Sequence, residues 1–100
     1  MNSFGLTKNE FDELNSIAVE PLKKAGCKVW IFGSRAKGSN QKFSDVDLLF
    51  ETSTELRPGF IFKIISELED SNFPYKVDIV NILELAASYK DDILKNRSPV

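Results

Sequence analysis

Two rhythms of apolar residues alternate along the chain. From Phe11 the apolar positions Phe11, Leu14, Ile17, Ala18, Leu22 and Ala25 recur near the helical period, which predicts an amphipathic helix. Thr7-Lys8-Asn9-Glu10 ahead of it fits a capping box, Pro21 is expected to kink or end the helix, and Gly26 to stop it. Residues 29–32, Val-Trp-Ile-Phe, form a short continuously apolar run and read as a strand buried on both faces. Gly33-Ser34 breaks that run, Ala36-Lys37 suits a helical turn before Gly38, and residues 39–42 form a loop. A second strand is expected at 46–50. A second helix opens at Pro58 or Gly59, carries the stripe Phe60, Ile61, Ile64, Ile65 and Leu68, and ends at Asp70-Ser71-Asn72. A third strand is expected at 76–80. Asn81 with Glu84 resembles another capping box and predicts a helix from Ile82, Ser88 caps a last turn from Asp91 to Lys95, and residues 96–99 read as a frayed end. The order is helix, strand, strand, helix, strand, helix. It predicts an α+β, two-layer architecture: a small mixed three-stranded sheet flanked by helices.

Composition narrows the chemistry. One hundred residues suit a single domain spanning 1–100, and 42% hydrophobic residues are enough for one core. The net charge of −2 comes without a basic block, so no direct nucleic-acid binding is expected. No apolar run approaches the roughly 18 residues that cross a bilayer. The first residues lack the cationic head and apolar segment of a leader, and the expected compartment is the cytoplasm. The single cysteine, Cys27, excludes an intramolecular disulfide. There is no histidine, which removes histidine-based triads and imidazole metal ligands. Metal chemistry in this chain must use oxygen donors.

Three aspartates break the strand rhythm. Asp45 and Asp47 stand in the apolar segment 43–50, although aspartate is depleted in strands and an unpaired charge among apolar neighbours is costly. In a strand, residues i and i+2 share a face, which would set the two carboxylates roughly 6–7 Å apart. Asp78 is a third aspartate in a third strand-like segment. Neighbouring strands lie about 4.8 Å apart, and three convergent carboxylates repel without cations. Their oxygens suit hard divalent ions, and two such ions about 4 Å apart can clamp a phosphoryl displacement. An edge strand with a charged face would show Asp45 and Asp47 in the same way, without chemistry.

Gly33-Ser34 admits two readings as well. It is a turn after a strand, or a phosphate cradle in which glycine lets the backbone approach, serine donates, and Arg35 or Lys37 adds charge. Gly33 and Gly38 match the spacing of a P-loop, but Ser39 and Asn40 stand where that motif needs Lys and Ser or Thr, which excludes it.

Together, Gly33-Ser34, ten residues, Asp45-Val46-Asp47 and the later Val77-Asp78-Ile79 resemble the signature of the polymerase-β-like nucleotidyltransferase superfamily. Residues 32–38, Phe-Gly-Ser-Arg-Ala-Lys-Gly, with residues 44–48, Ser-Asp-Val-Asp-Leu, look most like its smallest branch, the minimal nucleotidyltransferases of bacteria and archaea. The resemblance implies the nucleotidyltransferase fold, with Gly33 and Ser34 binding the triphosphate tail and Arg35 and Lys37 as phosphate neighbours. It implies that Asp45, Asp47 and Asp78 are catalytic and hold Mg²⁺, two ions, and that Asp78 helps to deprotonate the attacking hydroxyl. ATP is the implied substrate, and a nucleoside monophosphate the group transferred.

With nothing after Asp78 to form an acceptor domain, the acceptor site is expected on another chain. In the minimal branch that companion is a helical HEPN-type protein, and the pair resembles a toxin–antitoxin module in which the nucleotidyltransferase is the antitoxin. Some such pairs transfer AMP to a tyrosine of the HEPN protein. Two alternatives stay open: a non-catalytic module that binds a helical partner, and transfer to an antibiotic-type small alcohol. A homo-oligomer and a hetero-oligomer are equally compatible. Phe60, Phe62, Phe73, Tyr75 and Tyr89 are many aromatics for one small core, and Phe62 lies off the helical stripe, where a partner surface is expected first.

Overall fold

The computed structural model describes residues 4–100; residues 1–3, which open the stretch read for a leader, lie outside it. The Thr7 capping box forms as expected. The Glu10 amide donates to the Thr7 hydroxyl (3.2 Å), and the Thr7 amide donates to the Glu10 carboxylate (2.9 Å). It opens α1 (Lys8–Leu14), which runs into a π-helical stretch (Asn15–Val19) and then α2 (Glu20–Lys24). Pro21 therefore does not end the helix. It lacks an amide and its ring crowds the carbonyl four residues back, and the wider π turn sits directly ahead of it. The extra residue in that turn rotates the pattern: Ala18 and Val19 are both buried, although Val19 lay off the predicted stripe. A Schellman motif ends α2 at Gly26, with the Gly26 amide donating to the Lys23 carbonyl (3.0 Å) and the Cys27 amide to the Leu22 carbonyl (3.0 Å).

Among the described residues four strands make one sheet: β1 (Lys28–Phe32), β2 (Val46–Glu51), β3 (Val77–Asn81) and β4 (Ser98–Pro99), in the order β3-β2-β1-β4. The fold class is the mixed α+β one read from the sequence, with one strand more. β1 and β2 are antiparallel, whereas β2 and β3 are parallel. A parallel pair needs a crossover, and α4 (Phe60–Asp70) supplies it. The expected frayed end is instead β4, paired antiparallel with β1 through Trp30–Pro99 and Ile31–Ser98. Proline is tolerated there because β4 is an edge and needs no second ladder. The Arg97 guanidinium stacks 4.2 Å from the centre of the Trp30 ring, which pins this short strand.

One face of the sheet carries the core. Val29, Ile31, Val46, Leu48, Phe50 and Val77 pack against Leu14, Ala18, Val19 and Leu22 and against Ile64 and Leu68 of α4. Alternation along β1 follows from this: Val29 and Ile31 are buried, whereas Trp30 and Phe32 are half-buried, so β1 is sealed on one face and not on both. The Asn81–Glu84 box forms but opens only a 3₁₀ turn (Ile82–Glu84). The last helix, α5 (Ala87–Asn96), starts after the expected Ile82 but ahead of the turn expected with Ser88 as its cap, is longer than that turn, and has no fully buried residue. Phe73 joins the core, whereas Phe62 is 74% and Tyr89 48% exposed. Among the described residues no helix is long and apolar enough to cross a membrane.

Candidate active site

β1 ends on Phe32, and Gly33 turns the chain out of the sheet with φ +79° and ψ −154°, a region that side chains other than glycine's essentially never adopt. A Cβ at this position would also stand 2.5 Å from the Asp47 Oδ2. Gly33 is thus required both by its backbone and by the close approach of the Asp47 carboxylate. The turn continues directly into α3 (Ser34–Lys37), closed by the Lys37 amide on the Gly33 carbonyl (3.1 Å) and the Ser39 amide on the Ser34 carbonyl (2.9 Å). Ser34 is half-buried at the first position of that helix.

The sheet register brings the aspartates together. Phe32 is opposite Asp47, and Asp47 is opposite Asp78, so the three residues form one row across β1, β2 and β3. Side chains of such a row share a face of the sheet. This row lies on the face away from the helices that carry Leu14, Leu22 and Leu68. β2 begins at Val46, as expected, so Asp45 stands one residue ahead of the strand, exposed, and the i, i+2 strand geometry read for Asp45 and Asp47 does not reach it. Strand alternation therefore accounts for Asp47 beside Asp78, not for Asp47 beside Asp45.

The electrostatics reflect the crowding. The Asp47 carboxyl is pushed up from 3.8 to about 6, first by burial, then by the charges of Asp78 and Asp45, with Lys76 opposing. Lys76 was not foreseen. Its ammonium lies 3.9 Å from the Asp78 carboxylate, and period-two alternation from Asp78 would have placed it on the same face.

Two residues expected beside phosphate are engaged elsewhere. Arg35 is only 2% exposed. Its Nε and Nη2 both donate to the Ser44 carbonyl (3.1 and 2.8 Å), its Nη1 donates to the Phe4 carbonyl (3.0 Å), and its guanidinium stacks 4.4 Å from the centre of the Tyr75 ring. It points into the protein, with its donors taken by backbone carbonyls and its face covered by Tyr75. Lys37 is exposed, but its ammonium is paired with Asp92 of α5 at 3.0 Å. No local pattern announces these contacts, because Phe4, Tyr75 and Asp92 are distant along the chain and Ser44 lies across a loop.

The donor chemistry fits a hard divalent cation: three carboxylates, no imidazole, no thiolate, and a central carboxyl short of positive charge. Among the described residues, however, no three such groups are already drawn into a closed ligand set. A cavity of about 540 Å³ lies between α4 and residues 54–59, beyond the far end of β2 from Asp47, and none of the expected site residues lines it. Asp78 borders a second cavity of about 460 Å³ with Leu68, Phe73 and Tyr75 in its wall.

A glycine-opened turn beside a row of carboxylates, on a mixed sheet with a helical crossover, is the arrangement of a nucleotidyltransferase fold. A sequence profile described as Polymerase beta, Nucleotidyltransferase matches residues 22–100, and the chain belongs to that family. It is 30% identical over 67 residues to the probable protein adenylyltransferase MntA of Haemophilus influenzae. That match takes in 67% of this chain and 59% of MntA, so the chain spans less than two thirds of this relative. A solved minimal nucleotidyltransferase superposes with a TM-score of 0.72 at 23% identity, over 93% of this chain and 94% of that one. A chain from a toxin–antitoxin crystal structure with AMP-PNP superposes with a TM-score of 0.64 at 15% identity, over 85% of this chain and 70% of that one. Identities this low establish likeness of fold.

Proposed function

We propose that this protein is a Mg²⁺-dependent nucleotidyltransferase that moves AMP from ATP to a hydroxyl, the acceptor being a tyrosine of a helical HEPN-type partner whose toxicity it silences. The observation that carries the reading is the row Asp47–Asp78 on adjacent parallel strands, with the Gly33 turn against Asp47. Membership of the nucleotidyltransferase family supports the reaction class, and the likeness to an adenylyltransferase supports AMP and a protein acceptor.

In this reading Gly33 presents backbone and Ser34 its hydroxyl to the triphosphate oxygens. Asp45, Asp47 and Asp78 would hold the Mg²⁺, which when bound neutralises phosphate charge and favours the ionised hydroxyl. Asp78, beside the solvent-facing ammonium of Lys76, takes the proton of the attacking hydroxyl. The hydroxyl oxygen forms a bond to the α-phosphorus as the bond to the β-phosphate oxygen breaks, and pyrophosphate leaves with that electron pair. The expected result is a mass gain of one or more AMP groups on the helical partner after incubation with this protein, ATP and Mg²⁺, and none with Asp45→Ala, Asp47→Ala. An unchanged mass with the unmodified protein overturns the reading.

A second reading, neutralisation by contact alone, has its own support in the exposed Phe62, Phe43 and Leu83, which are 74%, 74% and 81% exposed. It requires that the Asp45→Ala, Asp47→Ala protein still bind and silence the partner.

A further inference from the structure

Arg35 presents an unusual combination: a buried cation, adjacent to Ser34, with no carboxylate partner among the described residues. A buried charge is costly unless fully hydrogen-bonded, and here carbonyl oxygens and the face of Tyr75 take that role. Two of these contacts lead to different parts of the site, and the third to the N-terminal segment. The Ser44 carbonyl belongs to the peptide unit that precedes Asp45. Tyr75 precedes Lys76 on the approach to Asp78. The Phe4 carbonyl comes from the N-terminal segment, where Gly5 (φ +76°) leaves room that a Cβ would take from the Arg35 Nη1 at 3.0 Å.

The peptides on either side of Asp45 are both tied. Ser44 is bonded through its carbonyl to Arg35, and its hydroxyl accepts from the Gln41 amide (2.8 Å). On the other side, the Val46 amide donates to the Lys76 carbonyl (2.8 Å). Asp45 is exposed and outside β2; on its strand side the first bond of the β2–β3 pairing holds the backbone, and on its other side the Arg35 guanidinium does. The forked contact of Nε and Nη2 on one oxygen, with Nη1 on another, needs a planar guanidinium and cannot be reproduced by an ammonium.

We infer that Arg35 is the positioning residue of the acidic site, holding Asp45 and the entry to β2 against the Gly33–Ser34 turn and registering both with the segment before Asp78. The inference rests on the proposal that these carboxylates bind a divalent cation.

The test uses the full chain with Arg35→Lys, and Mn²⁺ alone as the probe. Calorimetric titration is expected to show Mn²⁺ affinity lowered about tenfold or more. Hydrogen exchange at the amides of residues 44–46 is expected to rise at least tenfold, with the central amides of β1 and β2 unchanged. Leu22→Ala, a destabilising change in the core far from the site, is the control and leaves Mn²⁺ affinity within twofold. A folded Arg35→Lys protein with wild-type Mn²⁺ affinity overturns the inference, and so does exchange that rises equally throughout the sheet. Should Arg35→Lys not fold, Tyr75→Leu keeps the guanidinium and removes its aromatic cover; unchanged exchange at 44–46 in that protein overturns the inference. If the unmodified protein binds no Mn²⁺, the metal reading of the carboxylates fails, and the exchange pattern alone decides the role of Arg35.

Discussion

Asp47→Asn should stabilise the metal-free protein at neutral pH, and the gain should vanish in acid. Asp47 is an acid whose folded pKa, about 6, lies above its ordinary value of 3.8. The folded state therefore binds the proton more tightly than the unfolded state. Ionisation of Asp47 costs stability, fully above pH 6 and not at all below about pH 3.8. The shift of about two units, at about 1.4 kcal/mol per unit, sets an upper bound near 3 kcal/mol. Asp47 is half-buried, and solvent screening reduces this to about 1–1.5 kcal/mol. In a domain of this size 1 kcal/mol moves Tm by roughly 4–8 °C. Thermal denaturation in a chelator at pH 7.5 should therefore find Asp47→Asn more stable than the unmodified protein by about 5 °C, with the two curves converging near pH 4. A variant no more stable at pH 7.5, or one whose gain is the same at pH 4, would refute the burial of Asp47 beside the charges of Asp78 and Asp45.

Gly33→Ala combines a forbidden backbone region with a clash at the Asp47 carboxylate, and should cost roughly 2–3 kcal/mol in urea denaturation with an unchanged m-value. Phe62→Ser should change stability by less than about 0.5 kcal/mol by the same measurement, because the side chain is already 74% exposed.

The sequence was most informative where chemistry and local geometry coincide. Thr7 and Glu10 announce their capping box because both partners lie within one turn, and the box forms. Gly33 and the aspartates stand out because each violates what a buried strand prefers, and the register then sets Asp47 beside Asp78. The same local logic failed at the C-terminus. Ser98-Pro99 carries no strand pattern, and only the free edge of β1 makes it a strand. It failed in the first helix too, where a 3.6-residue period cannot foresee a π turn ahead of Pro21.

What the sequence alone determined is the inventory: carboxylates but no imidazole for a metal, a core sufficient for one small sheet, and a glycine at the turn out of β1. What tertiary structure decided is which of these groups meet. Arg35 and Lys37 are neighbours in sequence of Ser34 and carry the right charge for phosphate, yet one is turned inward onto Ser44, Phe4 and Tyr75 and the other lies on Asp92. The reason is physical. A strand's side-chain direction follows from its own alternation, and so the face shared by Asp47 and Asp78 was readable once the strands were. The direction of a long side chain leaving a short helix depends on which carbonyls and rings the rest of the chain brings within reach, and no local pattern encodes that.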